Sequence, residues 1–204
     1  MQDTGTEILK RTESLFMRYG IKSITMDDIA KELGISKKTL YQFVENKADL
    51  IKKIVYQHIQ EEKKEIESIR SHANNAVEEV LALAKYVVQA LRQMAPTTVY
   101  DLQKYYHDSW KLLESLHQQH VYSVIRENLE TGIRQGLYRP DIDPDIVAKL
   151  YVGKTFLLVN EEVFPLRDYT RERLLHEFFL YHLHGICSPK GREQLEQYLN
   201  PSET

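Results

Sequence analysis

Apolar residues recur along most of the chain at the three- and four-residue spacing of amphipathic helices. The spacing is clearest after Asn75, where the apolar positions share one helical face: Val77, Val80, Leu81, Ala84, Val87, Val88 and Leu91. No stretch alternates β-branched and polar residues between turn signals, as a half-buried strand would. The pattern therefore predicts an all-α fold.

Start and stop signals divide the first quarter of the chain into three short helices followed by a long one. The first helix ends near Gly20, and Thr25 begins the second, with Asp28 completing a capping box. Gly34 and Ser36 form a tight turn before the third helix. The three helices would share one core, which comprises Phe16, Ile29, Ala30, Leu33, Ile35, Leu40 and Val44. This is a helix-turn-helix unit, whose second motif helix lies in the DNA major groove.

The third helix carries polar side chains opposite Leu40 and Val44. These outward positions are Lys37, Lys38, Thr39, Tyr41, Gln42 and Phe43. Two lysines in the first turn oppose the helix dipole at a cost of about 0.3–1 kcal/mol, which an anionic partner would offset. Lys47 places another cation at the start of the next helix, where backbone N–H groups favour phosphate. We therefore interpret this stretch as a DNA-binding surface.

The same stretch resembles the helix-turn-helix of the TetR (tetracycline-repressor-like) transcriptional regulators. The matching residues stand at fixed spacing: Thr25, Ile29-Ala30, Gly34-Ile35-Ser36, Thr39-Leu40-Tyr41 and Lys47-Ala48-Asp49-Leu50. The resemblance implies that three residues clamp phosphates, namely Thr25, Tyr41 and Lys47. It implies that four recognition-helix positions read bases or nearby phosphates, namely Lys37, Lys38, Thr39 and Gln42. The expected partner is double-stranded DNA with a palindromic operator.

Two later segments are apolar around most of their circumference. One begins at Asp143-Pro144, where an N-cap acid precedes a proline suited to the first helical position, and the other begins near Thr170. A helix that is apolar on most sides is buried on several of them, which indicates a partner surface or a monomeric core. The expected interface residues are Leu150, Leu157, Leu158, Leu174, Phe178 and Tyr181. The resemblance implies a homodimer formed through the last two large helices.

A dense group of aromatic residues lies between these regions. It comprises Tyr86, Tyr100, Tyr105, Tyr106, His107 and Trp110. Such a group is typical of plain core packing, and equally of an apolar effector pocket with a few hydroxyl donors. The resemblance implies a pocket for a small apolar or aromatic effector. The surrounding sequence, from about Thr98 to Gln135, is predicted to be helical and to end at Gly136.

The net charge of −3 is the sum of a slightly basic N-terminal part and an acidic remainder. Residues 1–55 carry 10 basic against 8 acidic residues (+2), and residues 56–204 carry 17 against 22 (−5). The positive excess is small, so DNA contact depends on the placement of a few lysines rather than on bulk charge. The acidic remainder would repel DNA and confine contact to the N-terminal part.

Composition and motifs narrow the remaining function classes. The single cysteine, Cys187, forms no internal disulfide and suits a reducing compartment. Because neither a signal peptide nor a membrane span is evident, we expect a cytoplasmic location. His117 and His120 have no acidic or cysteine partner at ligand spacing, so we expect no metal and no cofactor. The sequence contains no glycine-rich phosphate loop and no nucleophile–base motif, so we do not expect an enzyme.

The sequence thus predicts a helix-turn-helix DNA-binding domain over residues 1–50 and a helical ligand-binding and dimerisation domain over residues 51–204. We expect a DNA-binding transcriptional repressor that a small-molecule effector releases from its operator. The alternative is a DNA-binding dimer without a small-molecule effector, either gated by protein contacts or architectural.

Overall fold

The computed structural model describes residues 4–92, 94, 95 and 97–199, with the side chain of Thr4 left aside. In this part of the chain the secondary structure is helical and contains no strand, which confirms the predicted all-α class. One isolated β-bridge joins Tyr138 to Cys187. Among the described helices, none combines the length and apolar character needed to cross a membrane.

The described α-helices follow one another with short connections, and a π-helical turn at His117–Val121 joins two of them. In chain order they are α1 (Thr4–Tyr19), α2 (Met26–Leu33), α3 (Lys37–Phe43), α4 (Lys47–His72), α5 (Ala76–Arg92), α6 (Thr97–Tyr105), α7 (His107–Leu116), α8 (Tyr122–Arg134), α9 (Pro144–Leu158), α10 (Arg171–Ile186) and α11 (Pro189–Leu199).

The chain packs into two compact units. The first comprises residues 1–63 and 93–116, and the second comprises residues 64–92 and 117–204. The long helix α4 contributes to both units, since its first part belongs to one and its last part to the other. The domains expected over 1–50 and 51–204 stay a prediction, and residues 1–3 and 200–204 lie outside the described part.

The first unit has a core built from α1 to α4 together with α6 and α7. Its buried members are Ile8, Phe16, Ile21, Ile29, Ala30, Leu40, Val44, Leu50, Ile51, Ile54, Val55, Ile59, Leu102 and Leu116. The seven core residues expected from the sequence all belong here, with Leu33 and Ile35 partly buried at the edge. The second unit has its own core, in which Val77, Val80, Leu129, Phe179 and Leu183 are among the buried residues.

The predicted helix boundaries in the first unit are made by the expected side chains. The Thr25 hydroxyl accepts the N–H of Asp28 at 3.2 Å, and the Asp28 carboxylate accepts the N–H of Thr25 at 2.8 Å. Gly34 ends α2 in the left-handed region, with φ at +68°. The Ser36 hydroxyl accepts the N–H of Thr39 at 3.0 Å at the start of α3. The capping box and the tight turn are both confirmed.

The helical sequence expected over about residues 98–135 comprises α6, α7, the π-helical turn and α8. Residues before the π-helical turn pack in the first unit, and the turn and the residues after it pack in the second. The helix that begins after Asp143 ends at Leu158, and Asn160 then forms a turn in which its side chain accepts the N–H of Glu162 at 2.9 Å.

Candidate nucleic-acid interface

The polar side of α3 is exposed because its apolar side closes the core of the first unit. Leu40 is fully buried and Val44 is 3% exposed. The exposed residues on the opposite side are Lys37, Lys38, Tyr41, Gln42 and Phe43. Thr39 is partly buried at the edge of this face. The structure therefore brings together the residues that the sequence places on the recognition helix.

The hydroxyls of Thr25 and Thr39 both take part in helix caps. Thr25 Oγ1 donates to Asp28 Oδ2 at 2.6 Å, and the hydrogen bonds from Thr25 hold the pKa of the Asp28 carboxyl below its usual range. Thr39 Oγ1 lies 2.7 Å from the hydroxyl oxygen of Ser36. Both threonines therefore stand at helix N-termini with their hydroxyl groups held in fixed positions.

Lys37 forms an ion pair across the turn between α2 and α3. Its Nζ lies 2.8 Å from Oδ1 of Asp27, which is the second residue of α2. The hydrogen bond to Asp27 raises the pKa of the Lys37 ammonium. In contrast, Lys38 is exposed and has no ion pair within the residues that the structure describes. Of the two neighbouring lysines, Lys37 is therefore partly neutralised by a carboxylate, whereas Lys38 is not.

Lys47 turns its ammonium group toward the loop between α1 and α2. The Nζ atom donates to the carbonyl oxygens of Ile21 at 2.6 Å and of Ile24 at 2.5 Å, and lies 5.7 Å from the centre of the Phe16 ring. Burial lowers the pKa of this ammonium. The first residue of α4 therefore fastens the loop that leads into α2, a role that the sequence did not predict.

The same loop is held by α6. Asp101 is 4% exposed, and its carboxylate accepts the N–H of Lys22 at 2.8 Å. The Lys22 ammonium donates to the Tyr105 hydroxyl at 3.1 Å. Gly20 has φ at +82°, and a Cβ at this position would lie 2.5 Å from Thr97 Oγ1. The sequence indicated Gly20 as the end of a helix, whereas no sequence pattern indicated the contact that Asp101 makes with this loop.

A cluster of ionisable residues joins α1 to α4 in the first unit. His58 Nδ1 lies 2.8 Å from Oε1 of Glu13, and Nε2 lies 4.0 Å from Oε2 of Glu62. The hydrogen bond to Glu13 raises the pKa of the His58 imidazole, assisted by the charges of Glu62 and Glu61. Burial raises the pKa of the Glu62 carboxyl.

This cluster predicts that the protein loses stability as the pH rises. Folding raises the pKa of this histidine, so its protonated form stabilises the folded protein. This stabilisation is fully present at pH values below the unfolded-state pKa of about 6.5, and it is lost as the pH rises through the folded-state pKa. Loss of the charge-assisted hydrogen bond to Glu13 is expected to cost roughly 1 kcal/mol. Thermal melts between pH 6 and 9 should show this decline in the wild type and a flatter profile in His58→Gln. Equal slopes for the two proteins would contradict the assignment.

The six expected effector residues do not all lie in one unit. Tyr86 is on α5 in the second unit, whereas the others belong to the first: Tyr100, Tyr105, Tyr106, His107 and Trp110. Tyr100 and Tyr105 are 47% and 44% exposed, and their rings meet edge to face at 6.5 Å. A surface groove of about 290 Å³ in the second unit has a different lining, which is Ser68, Ile69, His72, Ala73, Glu78 and Ala82.

The expected dimer residues divide into exposed and buried sets. Leu150, Leu157 and Tyr181 are 54%, 43% and 70% exposed. Leu158 is partly buried, and Leu174 and Phe178 are buried within the single chain, where they pack on the inner side of α10. Ile146 on α9 is also exposed, although it was not among the predicted interface residues.

The N-terminal part of the chain matches a known family. Residues 8–54 match the family model described as bacterial regulatory proteins, tetR family. The matched segment covers most of α1, all of α2 and α3, and the first turns of α4. The exposed face of α3 therefore lies within it.

Similarity to individual proteins extends over most of the chain. The chain is 29% identical over 183 residues to YvaF, an uncharacterized HTH-type transcriptional regulator of Bacillus subtilis. The alignment covers 89% of this chain and 94% of that protein. The chain is 24% identical over 193 residues to the HTH-type transcriptional repressor KstR2 of Mycolicibacterium smegmatis, with 91% of each covered. A protein of Saccharomonospora viridis solved in complex with choline has a similar fold, with a TM-score of 0.73 at 19% identity, covering 92% of this chain and 100% of that one.

Proposed function

Because the chain belongs to the TetR family of transcriptional regulators, we propose that it is a repressor that acts as a homodimer and is released from its operator by a small molecule. The observation that carries the proposal is the exposed polar face of α3 above the buried Leu40. We place the protein in the cytoplasm, where its operator DNA would lie. Members of this family are DNA-binding proteins rather than enzymes.

On this proposal the base-reading side chain of α3 is Gln42, near the end of the helix, which is exposed and able to donate and accept hydrogen bonds at a base edge. Lys38 and Tyr41 flank it and reach phosphates, and Lys37 joins them when it leaves Asp27. Thr25 adds a phosphate contact at the start of α2. Lys47 contributes mainly by holding the loop before α2 in position, through its hydrogen bonds to two carbonyl oxygens of that loop.

The dimer is proposed to form along an exposed apolar stripe on α9 and its neighbour α10. Ile146, Leu150 and Leu157 fall on one side of α9, and Gly153 lies between them with open space at its Cβ position. A glycine there lets a partner helix approach closely. Tyr181 of α10 extends the stripe, with its ring 4.7 Å from the Lys154 ammonium. Contiguous exposed apolar residues of this kind mark protein–protein contacts.

The effector is proposed to be a small apolar or aromatic molecule bound among aromatic side chains. In the second unit, the His182 ring lies 4.9 Å from Tyr151 and 6.5 Å from Phe178. Burial lowers the pKa of His182 to about 4, so the imidazole is neutral at physiological pH. Its Nε2 atom is buried without a hydrogen-bond partner in the described part of the chain. A buried polar atom without a partner calls for an explanation, and a small molecule that offers a hydrogen bond to His182 would supply one.

Release requires that the effector bind the DNA-free form more tightly than the DNA-bound form. The element proposed to carry this preference is α4, because it contributes to both units and its first residue holds the loop before α2. A change in α4 would therefore act on the start of α2 through Lys47. The similarity to a repressor and to a choline-bound protein supports a ligand-responsive role.

A reporter assay tests this proposal. The operator is first selected from random duplexes with the purified protein and is then placed between a promoter and a reporter gene. We expect expression to fall when the protein is present and to recover with small apolar or aromatic compounds as probes. Raised expression would contradict the repressor role. Repression that no pocket-binding compound relieves would favour the alternative, a dimer gated by protein contacts.

A further inference from the structure

Two lysines and two tyrosines form an exposed patch in the first unit. Tyr100 and Tyr105 lie on α6, and both side chains are exposed. The Lys22 ammonium donates to the Tyr105 hydroxyl at 3.1 Å, and the Lys104 ammonium donates to the Tyr100 hydroxyl at 2.5 Å. Lys104 Nζ also lies 5.0 Å and 5.7 Å from the centres of the Tyr100 and Tyr105 rings. We call these four connected side chains the lysine–tyrosine patch.

The hydrogen bonds within the patch leave it able to bind an anion. Both acceptors are phenol hydroxyls rather than carboxylates, so the two positive charges are kept. An ammonium group has three N–H donors, and a phenol O–H that accepts one of them can still donate, so an anionic oxygen can be bound without breaking these bonds. The Asp101 carboxylate, which accepts the backbone N–H of Lys22, is buried. The patch therefore presents two cations and several free donors at the surface.

The patch adjoins the start of α2. Lys22 stands three residues before Thr25, the N-cap of this helix, so their Cα atoms are at most about 11 Å apart. The loop between them is fixed from two sides, because Lys47 binds its carbonyls and Asp101 binds its backbone N–H. The patch is therefore held next to Thr25, which on the proposed function contacts a phosphate.

The recognition helix and the start of α4 leave few cations free for the DNA backbone. Lys37 is paired with Asp27 at 2.8 Å, and Lys47 donates to two loop carbonyls. About half to two-thirds of the hydrogen bonds in protein–DNA complexes go to phosphate and sugar, so further donors beside α3 would be used. Lys104 counts with the acidic remainder in the sequence, but the fold returns it to the first unit.

We propose that the lysine–tyrosine patch is a second contact surface for the DNA backbone, which binds phosphates beside those reached by α3 and Thr25. The inference rests on the proposed function, in which these two elements meet the operator. Contacts to phosphate carry no direct sequence information. The patch therefore strengthens binding to the operator and to random DNA alike, and the ratio of the two affinities does not depend on it.

The salt dependence of binding gives this proposal a quantitative signature. Each phosphate neutralised by a lysine contributes a slope of about −0.9 to the plot of log K against log salt. Lys22→Gln and Lys104→Gln should therefore each make the slope less steep by about 0.9 for every half-site that a protomer occupies. Relative to the affinity at 1 M salt, this is up to about eightfold weaker binding per half-site at 0.1 M.

The experiment measures binding of the full chain to the selected operator and to a random-sequence duplex by fluorescence anisotropy, between about 50 and 200 mM salt. The variants are Lys22→Gln, Lys104→Gln, the double glutamine variant and the double arginine variant, which keeps both charges. Lys111→Gln is the matched control, since Lys111 is an exposed lysine on α7 in the same unit. Ethylation interference on the operator maps the contacted phosphates, and circular dichroism melts check that each variant is folded.

We expect both single glutamine variants to flatten the slope on both duplexes more than Lys111→Gln does. The double glutamine variant should also lose a set of contacted phosphates, whereas the double arginine variant should keep the wild-type slope. The inference is overturned if the double glutamine variant matches Lys111→Gln, if it keeps every contacted phosphate, or if the arginine variant is equally weakened.

The proposed function and the patch fail in different ways. A wild type that selects no operator overturns the proposed function, and the patch with it. Normal operator selection by the wild type, together with a salt slope that does not respond to replacement of Lys22 and Lys104, overturns the patch alone.

Discussion

Replacing Lys47 with methionine is expected to lower the melting temperature and to weaken binding to every DNA sequence. The ammonium binds two loop carbonyls, at 2.6 Å and 2.5 Å, and methionine leaves both without this donor in a partly buried place. The loss of charge-assisted hydrogen bonds is expected to cost about 2 kcal/mol of folding stability. DNA binding weakens because the loop sets the position of Thr25 and the start of α2.

Lys52→Met is the matched control, since Lys52 is an exposed lysine on the same helix and the change in charge is identical. Differential scanning fluorimetry and anisotropy on the same samples separate two roles of Lys47. If Lys47→Met is less stable than the control and also binds DNA more weakly, Lys47 acts by holding the loop before α2. Weaker binding with the stability of the control would instead assign Lys47 to direct phosphate contact, as the resemblance implies.

Replacing Leu150 with arginine is expected to separate the homodimer and to reduce operator affinity by about 100-fold or more. Leu150 is 54% exposed at the centre of the stripe on α9, between Ile146 and Leu157. A charge there would have to be desolvated at the dimer contact without a partner. A monomer binds only one half-site and loses the gain of binding two linked sites, which is about 10²–10⁴ in affinity.

Leu199→Arg serves as the control, because Leu199 is also an exposed leucine of the second unit but belongs to α11 and not to α9 or α10. Sedimentation velocity gives the oligomeric state, and anisotropy on the operator gives the affinity. A dimer that survives Leu150→Arg with unchanged operator affinity would contradict the proposed interface. A dimer lost in both variants would point to a general effect of added charge.

Local chemistry made much of the first unit predictable. Helix starts such as Thr25 with Asp28, and the turn at Gly34, depend on residues close in sequence, whose preferences are strong. The same holds for Asp143 at the start of α9, where its carboxylate accepts the N–H groups of the second and third residues. Because the inward side of α3 follows from Leu40 alone, its outward face was predictable as well.

Contacts between residues distant in sequence were not predictable. The carbonyls that accept hydrogen bonds from Lys47 are 26 and 23 residues away along the chain, and no local pattern indicated them. Asp101 reaches Lys22 across 79 residues. Leu174 has the apolar character of an interface residue, yet three-dimensional packing buries it within the chain. Periodicity gives the width of an apolar face but not which neighbour covers it.

In the proposed complex, two copies of α3 read one inverted repeat, and Gln42 contacts a base in each half-site. Bound duplexes can be selected from a random pool with the wild type and with Gln42→Ala. We predict an enriched palindrome whose half-site centres lie about 34–36 Å or a multiple apart. The variant should lose preference at one symmetric position in both half-sites. Failure of the wild type to enrich any inverted repeat, or an unchanged motif with Gln42→Ala, would contradict the account.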